Sequence, residues 1–269
     1  MDRLLRVWQV GHEPSSALDE VALFLNDGIA RVHDFDPAAE TPRRLLWWLE
    51  QTFYKHFQII LADCSAGFPG MRTVLCAGER VNIGEVQELV SGSTIGSEEF
   101  HERFGRKVCI YSPAEFQLNL AFSKAYFIES KGSAIGLTRE PAFYIEDAVI
   151  ESISKFLHGC TFEEFRGGEV NPQTQKPNKL EKLNARYAVV RSNTDTKTRI
   201  QFDRDVGDGF RPCFAFEHSS SAIEIDHRGL KTKIYEVTRC DPSSNFLAQW
   251  DNVMVCDKAD MSDLTCGGT

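Results

Sequence analysis

The chain lacks the sequence signals of zinc-binding, membrane-spanning and nucleic-acid-binding proteins. Its eight cysteines include no C-x-x-C pair, so the local ligand pairs that structural zinc sites use are missing. No apolar run approaches the roughly 18 residues that a membrane helix needs. The net charge of −9 leaves no basic surplus to contact nucleic-acid phosphates or an anionic membrane surface. We therefore expect no metal, no membrane span and no nucleic-acid partner.

The N-terminal segment also lacks the features of a secretory signal. Residues 1–8 contain charged side chains and no continuous apolar region. Cys109 and Cys213 lie within apolar segments, which is typical of buried thiols. Thiols that stay free suit a reducing compartment. The sequence therefore predicts a soluble intracellular protein that is not secreted.

The spacing of apolar residues predicts an α+β fold with a mixed β-sheet and packed helices. Helical spacing predicts a helix in residues 15–33, and Thr41-Pro42 has the composition of a helix start. A further helix is predicted after Pro141, with Ile145 on its apolar face and Glu146 in its early turns. Apolar runs predict strands at 57–62, 72–77, 107–111, 185–191, 199–202, 212–216, 222–226, 231–237 and 246–255.

One compact domain over residues 1–256 accounts for this order of elements. Residues 167–182 are polar, which predicts a flexible loop within the domain. Residues 257–269 have the composition of a disordered tail. The prediction is therefore a single domain with one long loop and a frayed end.

No sequence motif in the chain is specific enough to identify a reaction by itself. There is no G-x-S-x-G elbow, G-x-G-x-x-G loop or Walker loop. Isoleucine and acidic residues alternate over 223–226, so Glu224 and Asp226 are expected on one strand face, about 7 Å apart. That separation suits the carboxylate pair of an inverting glycosidase. An amphipathic strand that shows its acids to water has the same pattern.

Two blocks of the chain resemble a known family. The first is the strand ending in Tyr111, followed by the segment Ser133 to Pro141 and an amphipathic helix. The second is the Phe/Ala-rich run from Cys213 to Ile225, followed by Lys233-Ile234-Tyr235. In this order the blocks, within about residues 40–240, resemble the RolB/RolC group of "plast" proteins, which are encoded on Agrobacterium T-DNA and expressed inside plant cells.

The resemblance implies a function in the host plant. Members of the group modulate hormone response and growth, so we expect plant host proteins as partners, in the cytoplasm or nucleus of the host cell. Three biochemical hypotheses stay open: binding of host proteins, hydrolysis of hormone glucosides by Glu224 and Asp226, and an ADP-ribosyltransferase-like fold that uses NAD. The resemblance places the NAD site at Tyr111, Thr138 and Tyr235; the family's threonine position holds Leu137 here, and Thr138 follows it.

Overall fold

The computed structural model describes residues 20–25, 28–68, 70–79, 119–158, 161–167, 180–227 and 230–241. It contains ten strands, three α-helices and a short 3-10 turn within those residues. In chain order these are β1 (Glu20–Leu25), β2 (Gly28–His33), α1 (Pro42–Ser65), β3 (Arg72–Leu75), α2 (Leu120–Lys131), the 3-10 turn (Gly132–Ile135), β4 (Ala142–Glu146), α3 (Asp147–Leu157), β5 (Thr161–Gly167), β6 (Leu180–Asn193), β7 (Lys197–Asp205), β8 (Arg211–Ser219), β9 (Ile223–His227) and β10 (Leu230–Asp241).

Eight of the strands form one mixed sheet. Its order is β3-β4-β10-β8-β7-β6-β5, and β9 pairs with the first half of β10 in line with β8. β3 and β4 are parallel, whereas the other neighbours are antiparallel. β1 and β2 form a separate hairpin. The predicted α+β class with a mixed sheet is confirmed.

Helices cover both faces of the sheet where β4 runs. Side chains alternate along a strand, so Phe143 and Ile145 point to one face and Tyr144 to the other. On the first face α1 packs Phe53 against Phe143, with 4.4 Å between ring centroids. On the second face α2 places Ile128 in a separate core cluster with Tyr144. β4 is therefore buried at all five positions.

The first long helix begins where the sequence predicts. The Thr41 hydroxyl accepts the backbone N–H of Arg44 at 3.3 Å, and Pro42 occupies the first helical position. The strand predicted at 57–62 is wrong because those residues belong to α1. Phe57 and Ile60 are both buried and continue the apolar face of the helix. A short apolar run does not distinguish a strand from a buried helix segment.

The pairing of strands in the structure corrects two other predictions. The helix predicted in residues 15–33 is wrong for the part that the structure describes, because residues 20–25 and 28–33 form the β1–β2 hairpin, with Leu25 opposite Gly28. Asn, Asp and Gly, which occupy positions 26–28, are favoured in tight turns, and this was the missed signal. Ile145 and Glu146 belong to β4 rather than to a helix, since β4 pairs with β3 on one side and β10 on the other. α3 starts one residue later.

The strands predicted between residues 185 and 237 are confirmed, and most are longer than predicted. The turn after β7 is held by Asp205, whose carboxylate accepts the backbone N–H groups of Gly207 and Gly209 at 2.7 and 3.0 Å. The strands predicted at 107–111 and 246–255, most of the predicted loop and the tail lie outside the described residues. Within the described residues no helix is long and apolar enough to cross a membrane.

Candidate functional site

The candidate site is a cavity of about 1980 Å³ beside β3, the end strand of the sheet order. α1 provides Trp48, Lys55 and His56 to its wall, and α2 faces them with Phe122 and Lys124. Ligand sites in proteins typically combine apolar walls with a few well-placed polar groups. This cavity has that combination, and it contains three buried polar contacts, which are described in turn below.

The first contact joins α1 to β3. Nδ1 of His56 lies 2.8 Å from the hydroxyl oxygen of Thr73. The His56 side chain is buried, and burial lowers its pKa from 6.5 to about 3. The imidazole is therefore neutral at physiological pH, because protonation would place a charge in an apolar environment. It is a hydrogen-bonding group of the cavity wall and not a cation.

The second contact is a buried ion pair between α2 and the end of β4. Nζ of Lys124 lies 2.5 Å from Oε1 of Glu146, and both side chains are less than a tenth exposed. The same carboxylate accepts the Thr232 hydroxyl and, at 2.9 Å, the backbone N–H of Ala77. Three donors around one carboxylate satisfy the charge that burial would otherwise penalise. The arrangement fixes the position of the Lys124 ammonium in the cavity wall.

Cys76 lies next to this ion pair and also lines the cavity. Burial raises the pKa of its thiol, and the charge of Glu146 acts in the same direction. A thiol needs a lowered pKa to be a nucleophile near neutral pH. Cys76 is therefore a neutral thiol of the wall, and a reactive role is not supported.

The third contact involves the end of the hairpin. Nε2 of His33 lies 2.7 Å from Oε2 of Glu40, and both side chains are only 2% exposed. The His33 ring stacks on Trp48, with 4.9 Å between ring centroids and 24° between ring planes. His33 and Trp48 both line the cavity. A histidine held on one ring nitrogen by a carboxylate is fixed in orientation.

None of these polar residues was singled out from the sequence as a site residue. The helix that carries Lys124 was not predicted, although Leu120, Lys124 and Ile128 follow one another at intervals of four residues. That spacing, with Asn119 accepting the backbone N–H of Phe122 as a helix cap, was the available signal.

The predicted glycosidase carboxylates lie away from the cavity. Glu224 and Asp226 share an exposed strand face, as predicted, and Lys233 and Lys231 stand opposite them on β10. The Nζ to oxygen distances are 2.9 Å for Glu224 and 3.4 Å for Asp226. The carboxylates are 72% and 68% exposed, and neither lines the cavity beside β3. Each acid is a surface ion-pair partner of a lysine.

The residues of the predicted NAD site are separated in the structure. Tyr235 packs against the core on the α1 face of the sheet. The backbone N–H of Thr138 donates to the hydroxyl of Tyr144, which belongs to the α2 face. Arg72 donates to the Thr138 carbonyl at 3.2 Å. Tyr111 lies outside the described residues, so the structure places two of the three residues, and it places them at different faces.

Tyr235 has a partner that the sequence did not suggest. Its ring centroid is 4.5 Å from that of His218. Nδ1 of His218 donates to the Ser219 carbonyl at 2.8 Å, since a carbonyl only accepts. Burial lowers the pKa of His218 and raises the pKa of Tyr235, the latter with help from the charge of Asp147. The neutral imidazole therefore keeps Nε2 as a hydrogen-bond acceptor beside a protonated phenol.

A second buried network lies at the other end of the sheet. Glu164 on β5 accepts from the Tyr187 hydroxyl on β6 and from Arg204 on β7. Beside it the Cys213 thiol donates to the Phe202 carbonyl at 3.0 Å, and burial raises its pKa to about 12. These side chains join four strands, β5 to β8. The described residues contain no group of three or more His, Cys, Asp or Glu side chains placed to hold a metal ion.

Comparison of the chain with protein-family models, with curated proteins and with solved structures found no match. The function is therefore argued from the cavity and its side chains.

Proposed function

We propose that the protein binds a small molecule in the cavity beside β3 and, through that ligand, modulates hormone response in a host plant cell. The observation that supports the proposal is the cavity itself, whose walls include His56, Lys124 and His33, each held by a hydrogen-bonding or ion-pair partner. A cavity that combines apolar walls with convergent polar groups is the default hypothesis for a binding site. The host setting, with action through plant proteins in the cytoplasm or nucleus, rests on the RolB/RolC resemblance.

Binding is favoured over glucoside hydrolysis by the surroundings of the two acids. An inverting pair needs one carboxyl as acid and one as base across a bound sugar. Glu224 and Asp226 each pair with a lysine in open solvent, outside the cavity. A hormone conjugate is therefore more reasonably a ligand of the cavity than a substrate of these acids.

A blocked cavity tests the proposal. Ala125 lines the cavity from α2, whereas Ser123 on the same helix is exposed and does not line it. Ala125→Trp places an indole ring inside the cavity, and Ser123→Trp is the matched control with the same added ring outside it. Calorimetric titration with NAD and with hormone glucosides should show saturable binding of one probe, lost in Ala125→Trp and kept in Ser123→Trp. Binding that survives Ala125→Trp, or no binding by the folded protein, would contradict the proposal.

An ADP-ribosyltransferase-like activity is the second candidate, and the contact of His218 with Tyr235 favours it. A fixed imidazole acceptor and a phenol side by side can hold the hydroxyl groups of a nucleotide sugar. Labelled NAD with a plant-cell lysate should then give label on a discrete protein, lost in Tyr235→Phe. Tyr54→Phe is the matched control, since Tyr54 lies on α1 and does not line the cavity. Absence of label with folded wild-type protein would remove this candidate.

A further inference from the structure

A second concavity lies between the C-terminal end of α3 and strand β6. Its volume is about 560 Å³, and it is lined by Ser154, Lys155, His158, Val189 and Arg191. None of these residues lines the cavity beside β3. Every lining side chain except that of Val189 carries a hydrogen-bond donor, and none carries a carboxylate. The concavity is therefore a separate surface whose polar groups suit an anion.

The two permanent cations of this concavity have no ion-pair partner among the described residues. Arg186 on the same strand and Arg199 on β7 each form an ion pair with an aspartate. Arg191 and Lys155 form none with a described residue, although the net charge of −9 supplies a surplus of acids. Glu151, one turn before Lys155 on α3, does not line the concavity. Two positive charges thus meet here with no carboxylate between them, which favours an external anion.

The side chains come from two different elements. Arg191 and Val189 share a face of β6, and Nη2 of Arg191 donates to Oγ of Ser154 on α3 at 3.4 Å. Lys155 lies in the last turn of α3, and His158 follows that turn as the C-cap residue. The helix dipole stabilises a cation at the C-terminal end of a helix, but it does not account for a guanidinium that reaches in from a strand. The packing of α3 on the sheet is what brings these groups around one space.

We infer that this concavity binds the phosphate group of a small phosphomonoester. The inference goes beyond the proposed function, because it concerns a different surface and a different ligand. The guanidinium of Arg191 has the fork geometry that matches two phosphate oxygens, and Lys155 adds a point charge. The Ser154 hydroxyl and the His158 ring can each donate a further hydrogen bond. A dianion with three free oxygens uses all of these donors, whereas a phosphodiester or a carboxylate has one oxygen fewer to offer.

Four small anions test this ligand class. At about pH 7.5 methyl phosphate and inorganic phosphate are mainly dianions, whereas dimethyl phosphate and acetate are monoanions. In nitrogen-15 NMR titrations, methyl phosphate should cause saturable shifts in the backbone signals of residues 154–158 and 189–191. Dimethyl phosphate and acetate should bind about tenfold more weakly, since each loses a charge and an acceptor oxygen. Inorganic phosphate should bind as methyl phosphate does, and a site that takes inorganic phosphate alone would contradict the assignment to an ester.

Arg191→Gln is the test variant, and Arg186→Gln is its matched control. Each removes one positive charge from an exposed side chain of β6, but Arg186 does not line the concavity. Arg191→Gln should weaken the binding of methyl phosphate about tenfold, because the bidentate contact is lost. Arg186→Gln should change it by less than about twofold, since salt screens a more distant surface charge. The spectrum of each variant without ligand shows that it is folded.

Three results would overturn the inference. Equal weakening in Arg191→Gln and Arg186→Gln would mean that only the overall charge attracts the anion. Shifts that do not saturate, or equal binding of methyl phosphate and dimethyl phosphate, would mean that no phosphate site is present. The third is loss of binding in Ala125→Trp, which would place the anion in the cavity beside β3. If Ala125→Trp keeps methyl phosphate binding, this site stands whether or not the cavity binds its own ligand.

Discussion

The ammonium group of Lys124 lies 2.5 Å from the carboxylate of Glu146, and this ion pair is buried between α2 and the end of β4. It joins the helix that forms one wall of the cavity to the sheet. Removing one member of a buried pair leaves the other charge without its partner, which is much more unfavourable than losing a surface pair. The geometry of the cavity and the stability of the fold therefore depend on the same contact.

We expect Lys124→Met to lower the free energy of unfolding by about 3–5 kcal/mol, because Glu146 stays buried without a counter-charge. Denaturation in guanidinium chloride measures the change. Lys231→Met is the control, since its partner Asp226 is exposed, and should change stability by less than about 1 kcal/mol. Similar losses in the two variants would show that burial of the Lys124 pair has no energetic consequence.

Stability should depend on pH through His56. Its pKa is about 3 in the folded protein and 6.5 ordinarily, so the unfolded chain binds a proton that the folded protein excludes. The stabilisation that follows from this pKa difference is complete above pH 6.5 and is lost as the pH falls towards 3. Between these two pH values the free energy of unfolding falls by up to about 1.4 kcal/mol per pH unit. The pKa of His218 is also lowered by burial and acts in the same direction.

The variant His56→Gln isolates this effect. Between pH 6 and pH 5 the free energy of unfolding of this variant should fall less steeply than that of the wild-type protein. The two slopes should differ by about 1.4 kcal/mol per pH unit, the value for one bound proton. Urea denaturation at several pH values gives both slopes. Parallel curves would mean that His56 takes up its proton as readily in the folded protein as in the unfolded chain.

Phe53 is expected to be the most sensitive aromatic residue of the core. It is fully buried and contacts the rings of Phe143, Phe214 and Phe216. Phe53→Ala should destabilise the protein by about 3–5 kcal/mol, since it leaves a cavity between α1 and the sheet. Phe210→Ala, at a half-exposed ring, is the control. Equal losses of thermal stability in the two variants would show that Phe53 is not a central residue of the core.

The exposed acids of β9 should be dispensable. Glu224→Gln and Asp226→Asn should leave the unfolding midpoint and the binding of cavity probes unchanged, because both carboxylates lie in open solvent outside the cavity. The informative assay is release of sugar from a hormone glucoside by wild-type and variant proteins. Hydrolysis that is lost in Glu224→Gln would restore the glycosidase hypothesis.

Local signals in the sequence predicted part of the fold well. Thr41 and Pro42 marked the start of α1, and alternation placed Glu224 and Asp226 on one exposed face of β9. The errors occurred where local spacing fits two structures. The residues 57–62 are apolar enough for a strand, but the buried face that extends from Phe53 makes them helix. Spacing alone cannot separate these cases.

The candidate site was predicted less well than the fold. The resemblance pointed to Thr138 and Tyr235, which lie at different faces of the sheet, and Tyr111 is outside the described residues. The cavity residues His33, His56 and Lys124 are ordinary members of their segments when the sequence is considered alone. Their importance comes from burial and from partners that are distant in the chain.

The sequence by itself determined the class of the protein: an acidic α+β chain whose caps, turns and alternating strands follow from the chemistry of neighbouring residues. Only the tertiary structure decided which polar residues meet. Lys124 finds Glu146 across 22 residues, and His56 finds Thr73 across 17. Such pairs form because the sheet order brings α1, α2 and β3 around one cavity. Buried polar groups must then satisfy one another there, and no local pattern specifies which partner each will have.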